Sequence, residues 1–162
     1  MSQPDLEHVP DLEHAWRIND YISNYVQLAD TKAGAIIALA AIQAGLLALV
    51  PDHLSVGEKA LLGFASLVVL VGIVLAVASI WPRTNTRPTE GSVFWGNIAS
   101  HPTPSAYLTR FRASDPLREV VEQNHHLSAI ACSKYVWLQR AIRVTAIGVV
   151  VFWLAVFAVR LH

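Results

Sequence analysis

The sequence predicts an all-α membrane protein with three transmembrane helices, the first and third extended into long cytoplasmic helices. Three observations carry that prediction. Of the 162 residues, 54% are hydrophobic and only 15% charged, a ratio foreign to both ordinary soluble globules and disordered chains. The apolar residues gather into three runs, Ala33 to Val50, Ala60 to Trp81 and Ala141 to Val159. Polar segments with an apolar stripe lead into the first and third runs without an intervening helix breaker.

The runs are 18, 22 and 19 residues long, and Arg143, near one edge of the third, is the only charge in any of them. A helix needs about 20 residues to cross a hydrocarbon core roughly 30 Å thick, so each can span, the first with little to spare. The middle run is the strongest. Its 13 Leu, Ile, Val and Phe residues favour insertion by about 4 to 8 kcal/mol. The first run has eight such residues, two glycines and Gln43 near its centre, so its insertion depends on a neighbouring helix. Gly34, Ala38, Ala41 and Gly45 offer a small-residue face for that approach, and Gln43 is expected to reach a neighbouring copy in a homo-oligomer. A soluble bundle is disfavoured because so short a chain could hardly wrap three apolar helices in polar ones. The 32-residue leader is acidic and has no basic segment before its apolar run, which argues against a secretory signal peptide.

Upstream of the first run, Asp11 follows Pro10 as an N-cap, and Leu12, Trp16, Ile22, Val26 and Ala29 keep one face apolar. The spacing predicts one helix over Asp11 to Val50, entering the membrane near Thr31. Asp115 and Pro116 form a second cap and first-turn pair, and Leu117, Val120, Val121, Leu127, Ile130, Ala131 and Leu138 carry a stripe into the third run. Between them, Pro82 to Ser114 holds four of the eight prolines and is expected to be loop with short helical pieces. The chain thus divides into a cytoplasmic N-terminal helix (1–32), a hairpin of two spans (33–81), a cytoplasmic loop and helix (82–140) and the third span (141–162).

Charge sets the expected orientation. Ten of the twelve basic residues lie in 1–32 and 82–143, the exceptions being Lys59 and Arg160. The positive-inside rule therefore places both regions and the N-terminus in the cytoplasm and the C-terminus outside. The N-terminal piece holds six acids and two bases, and 82–143 eight bases and four acids, so the two attract within a Debye length of about 8 Å. Arg110, Arg112 and Lys134 remain as candidates for a small anionic ligand, while Arg83, Arg87, Arg140 and Arg143 sit where basic residues anchor to headgroups. Phe94, Trp95, Tyr107 and Phe111 either fill gaps between helices or, at Trp95 or Tyr107, offer a stacking face for a base. Asp30 and Lys32 diverge at i, i+2 on a helix and mark the membrane mouth as a hinge.

Several function classes fall away. Zero net charge disfavours nucleic-acid binding. One cysteine, Cys132, excludes an internal disulfide framework. Adjacent His125 and His126 point about 100° apart on a helix and cannot ligate one metal from a single face, so no metal site is expected. No phosphate-binding glycine loop, nucleophile elbow or kinase signature is present, and the chain is read as a non-enzyme without a cofactor.

Three strings carry a family resemblance: Asn19-Asp20-Tyr21-Ile22 followed by Ala29-Asp30-Thr31-Lys32-Ala33-Gly34; Phe94-Trp95-Gly96-Asn97-Ile98-Ala99; and Glu122-Gln123-Asn124 through Leu127-Ser128-Ala129-Ile130 to Lys134-Tyr135. In this order they resemble the Pycsar transmembrane effectors over essentially the whole chain. The resemblance implies a bacterial antiphage, abortive-infection effector of the inner membrane. Its regulatory ligand would be a cyclic pyrimidine mononucleotide, cUMP or cCMP, made by a partner pyrimidine cyclase, and its action would impair the membrane and kill the infected cell. On that reading Arg110 and Lys134 are the expected phosphate partners and Trp95, Asn97 and Asn124 the base-contacting groups. The alternative is a constitutive small accessory or scaffold membrane protein. A channel or transporter subunit is disfavoured, because no ionisable residue lies deep in a span.

Overall fold

The computed structural model describes residues 9–50, 54–81 and 91–161; the side chains of Val9, Trp95 and 159–161, and the candidate headgroup anchors Arg83 and Arg87, lie outside the described residues. Five helices follow one another: α1 (Val9–Leu47), α2 (Val56–Ile80), α3 (Trp95–Ser100), α4 (Pro104–Ala113) and α5 (Pro116–Leu161). There is no strand among the described residues. The expected architecture is observed: α1, α2 and α5 are each long and apolar enough to cross a bilayer, and α1 and α5 run to 39 and 46 residues.

Local chemistry sets the ends. Beyond Leu47 the backbone tightens into i→i+3 bonds, Leu49 to Leu46 and Val50 to Leu47, both 3.1 Å. Pro51 follows and disfavours helical geometry at the residue before it. At the start of α2, Glu58 N–H donates to Ser55 Oγ at 3.3 Å while the Glu58 carboxylate accepts from Ser55 N–H at 2.8 Å. This reciprocal capping box starts the helix four residues before the apolar run begins. Asp115 caps α5 as expected, its Oδ1 accepting from the N–H groups of Leu117 and Arg118 at 3.1 and 3.2 Å. The connector holds two short helices, α4 starting at a Thr103 cap with Pro104 in its first turn.

The chain forms two compact units, one of residues 1–27 and 82–132, the other of 28–81 and 133–162. We call them the polar unit and the bundle; α1 and α5 contribute to both. In the bundle, the buried positions of α1 are Ala29, Ala33, Ile36, Ala40 and Gln43, and those of α2 are Leu62, Ala65, Val69, Gly72, Ala76 and Ser79. On α5 they are Lys134, Leu138, Ala141, Thr145, Gly148, Phe152 and Ala155. All three series advance by alternating steps of three and four, the interval that keeps one seam facing its neighbours in a left-handed bundle. Small residues let α2 and α5 approach closely. A Cβ on Gly72 would collide with Thr145 Oγ1, and one on Gly148 would sit 2.8 Å from Val69 Cγ2.

Within the chain, the small-residue face of the first span is not the one that packs. Gly34, Ala38, Ala41 and Gly45 lie on the exposed face of α1, one position round from the seam that packs. Gln43 belongs to the seam: it is buried within its own protomer, and neither of its side-chain amide atoms has a hydrogen-bond partner.

Candidate functional site

The polar unit is held by side-chain hydrogen bonds to backbone as much as by apolar packing. Asn124 of α5 is buried, donating Nδ2–H to the Ala15 carbonyl at 2.8 Å and accepting from Asn19 Nδ2 at 2.8 Å. Ser92, 1% exposed, gathers the connector. Its N–H and Oγ–H reach Glu119 Oε2 at 2.6 and 2.7 Å, its carbonyl accepts from Tyr107 Oη–H at 2.9 Å, and its Oγ lies 3.1 Å from Ser114 Oγ. A hydroxyl, a carboxylate and a phenol thereby tie the segment before α3 to α4 and to the first turn of α5.

Beside this hub opens a cavity of about 810 Å³. The end of α4 supplies Arg110, and α5 supplies Arg118, Val121, Glu122, His125 and His126 to its wall. Arg118, Val121, Glu122 and His125 share a wall because they recur at i, i+3, i+4 and i+7 on one helix. Its carboxylates are already engaged: Asp115 caps α5, Glu119 holds Ser92, and Glu122 accepts from Arg118 Nε at 2.9 Å. The hydrogen bond that Arg118 donates to Glu122, and the charge of that carboxylate, hold the exposed Arg118 guanidinium more firmly protonated than usual. Arg110 and Arg118 bring guanidinium groups to this wall beside the His125 and His126 imidazoles, N–H donors of the kind that hold a phosphate oxygen.

The expected site residues separate. Arg110 lines this cavity. Asn97 lines a smaller cleft with Phe94, Gln123, Glu119 and Glu122, the last two shared with the larger cavity. Asn124 lies in the same unit, bonded to α1. Tyr107 is half-buried, bonded to Ser92 and packed against Phe111 with ring centroids 6.1 Å apart. The Trp95 side chain lies outside the described residues. Lys134 and the hinge pair belong to the bundle: Lys134 Nζ bonds Asp30 Oδ1 at 2.5 Å, its side chain 8% exposed, and Lys32 points away from that pair into a separate groove. Sequence reasoning missed Arg118, Ser92 and Glu119. The one-face spacing of Arg118 with His125 was readable; the reach of Ser92 to Glu119, 27 residues away, was not.

Residues 14–161 match the model of the Pycsar effector protein domain. The chain belongs to the Pycsar effector family. It is similar to the Pycsar effector protein SaPycTM of Staphylococcus aureus, 28% identical over 131 residues, which cover 79% of this chain and 83% of that protein. It is also similar to PtPycTM of Propioniciclava tarda, 25% identical over 155 residues, 88% of this chain and 77% of the relative. No solved structure matches the chain. The resemblance carried by the three strings is thereby confirmed, and the family match takes in the bundle and nearly all of the polar unit.

Proposed function

We propose that this Pycsar effector is switched on by a cyclic pyrimidine mononucleotide, cUMP or cCMP, from a partner cyclase and then impairs the bacterial inner membrane, killing the infected cell. The observation that carries the reading is that one family domain embraces both a polar unit whose cavity is lined by Arg110, Arg118 and two histidines and a bundle of three candidate spans. On the positive-inside rule the distribution of basic residues supports a cytoplasmic polar unit, where such a messenger would be made, and a periplasmic C-terminus. The messenger's phosphate, one negative charge, suits Arg110 and Arg118. His125, His126 and Asn97 are the nearby hydrogen-bonding groups for the base and ribose.

Transmission runs along α1 and α5, the two helices shared by the units. Binding that re-pairs their polar halves changes how their apolar halves pack. Moving a population from 1:99 to 99:1 takes a preference of about 5.5 kcal/mol for the active arrangement. One phosphate contact falls short of that; several copies each binding a ligand can supply the remainder, and on this reading the effector acts as a homo-oligomer. The test is calorimetric titration of the purified chain with cUMP, cCMP, cAMP and cGMP, beside membrane potential in cells expressing the cyclase. A cyclic pyrimidine is expected to bind and the potential to collapse. Arg118→Ala should weaken binding at least tenfold with insertion intact. Equal binding of all four nucleotides, or unchanged potential, rejects the proposal.

A further inference from the structure

The bundle carries a second concavity that the messenger reading does not use. It is a groove of about 480 Å³ bordered by α1 and α5, with Lys32 on one side, Arg143 on the other, Tyr135 and Gln139 along it, and Val136 and Ile142 as aliphatic wall. Four cations occupy this stretch of the bundle, and two have partners within the chain. Lys134 is bonded to Asp30, and Arg140 lies over the Trp137 ring at 5.2 Å. Lys32 and Arg143 are exposed, and both line the groove.

Their depth matters. Ala33 and Ile36 pack with Leu138 and Ala141 in one cluster, so Arg143, two residues beyond Ala141, lies level with the opening turns of the first apolar run. A guanidinium there is costly to leave unpartnered and extends toward the headgroup layer. The anion offered by that layer is a lipid phosphate.

We infer that Lys32 and Arg143 clamp the phosphate of one anionic glycerophospholipid, whose first acyl carbons lie along Val136 and Ile142. Basic grooves between spans are suited to such headgroups. A soluble nucleotide also brings a phosphate, but the aliphatic wall gives its ribose and base few hydrogen bonds. The groove is therefore assigned to lipid, independently of the messenger proposal.

The test uses the full chain in nanodiscs of phosphatidylcholine with increasing phosphatidylglycerol, following bound lipid by native mass spectrometry. The wild type is expected to retain phosphatidylglycerol over phosphatidylcholine. Lys32→Ala with Arg143→Gln should weaken that retention by about thirtyfold, roughly fivefold for each cation. The conservative pair Lys32→Arg with Arg143→Lys, which keeps both charges, should restore most of it. Arg17→Gln, at a cation of the polar unit already paired with Glu13, should leave it unchanged. Wild-type retention of both lipids alike, an equal loss in Arg17→Gln, or displacement of the lipid by inorganic phosphate or cUMP would overturn the inference. The last result would assign the groove to a soluble anion.

Discussion

The bundle and the polar unit are held by different forces. Among the described residues, the polar unit contributes only Ala15 and Val120 to the buried apolar set, while the other twelve members belong to the bundle. The bundle relies on a regular seam of small and aliphatic side chains that lets helices approach closely. The polar unit relies on Asn124, Ser92 and Glu119, whose hydrogen bonds are directional and exchangeable with water. A unit with little apolar core opens at lower free energy than a packed one. The comparison teaches where a ligand can act: a modest binding energy can rearrange hydrogen bonds in the polar unit, whereas moving the bundle requires the seam itself to slip.

The largest effect is expected where the bundle departs from its own rule, at the Lys134–Asp30 pair. Asp30→Ala leaves an ammonium nine-tenths buried beside Ser79, which donates to the Lys134 carbonyl at 3.1 Å. Breaking a buried pair from one side costs about 3 to 5 kcal/mol, and the lower figure applies because Asp30 is partly exposed. Thermal unfolding in detergent should show a large fall for Asp30→Ala and a smaller one when Lys134→Met accompanies it. Equal falls would show that the pair adds nothing beyond the packing of its stems.

Next comes the seam. Gly72→Val places side-chain atoms where Thr145 already sits, an overpacking worth about 1 to 3 kcal/mol. Thr145→Ala in the same chain should recover part of it. Gly34→Val, on the exposed face with nothing within 4 Å of its Cβ, should leave unfolding in detergent nearly unmoved. A comparable loss at Gly34 would mean that the exposed face of α1 also packs.

These two glycines also mark how far the sequence could be read. The three spans, the Asp115 cap and the long first and last helices were legible, because run length, hydropathy and cap chemistry are local properties. The packing face of α1 was not. Gly34, Ala38, Ala41 and Gly45 form as good a small-residue stripe as Ala29, Ala33 and Ala40, and only the position of α2 and α5 decides between them. The capping box of Ser55 and Glu58 was legible in its Ser-Val-Gly-Glu spacing but passed over. At the candidate site, Arg110 could be read from charge. The role of Asn124 could not, because its partners Ala15 and Asn19 lie 109 and 105 residues away.

A smaller effect is expected in the polar unit. Glu119→Ala removes the acceptor shared by the Ser92 N–H and hydroxyl; the hydroxyl keeps Ser114 Oγ, but the buried N–H is left without its partner at a cost of about 1 to 3 kcal/mol. Because so little apolar surface anchors this unit, the loss should appear as faster amide exchange across the connector and α4 while the bundle remains protected. Uniform loss of protection through α2 as well would contradict the separation drawn between the two units.

The smallest change expected is a gain. Gln43 and Thr145 are buried in the bundle with Gln43 Nε2, Gln43 Oε1 and Thr145 Oγ1 lacking partners. Leaving such a group without a hydrogen bond costs about 1 to 3 kcal/mol, and an apolar group of similar shape avoids it. Gln43→Leu should therefore raise the unfolding temperature in detergent, and Thr145→Val should do so to a lesser degree. Buried unsatisfied polar atoms call for an explanation; if the active arrangement gives Gln43 a partner, the stabilised Gln43→Leu chain should also need more of the proposed messenger to collapse the membrane potential. A chain made more stable yet equally responsive would confine Gln43 to basal packing. One with unchanged stability would show that water already serves its amide.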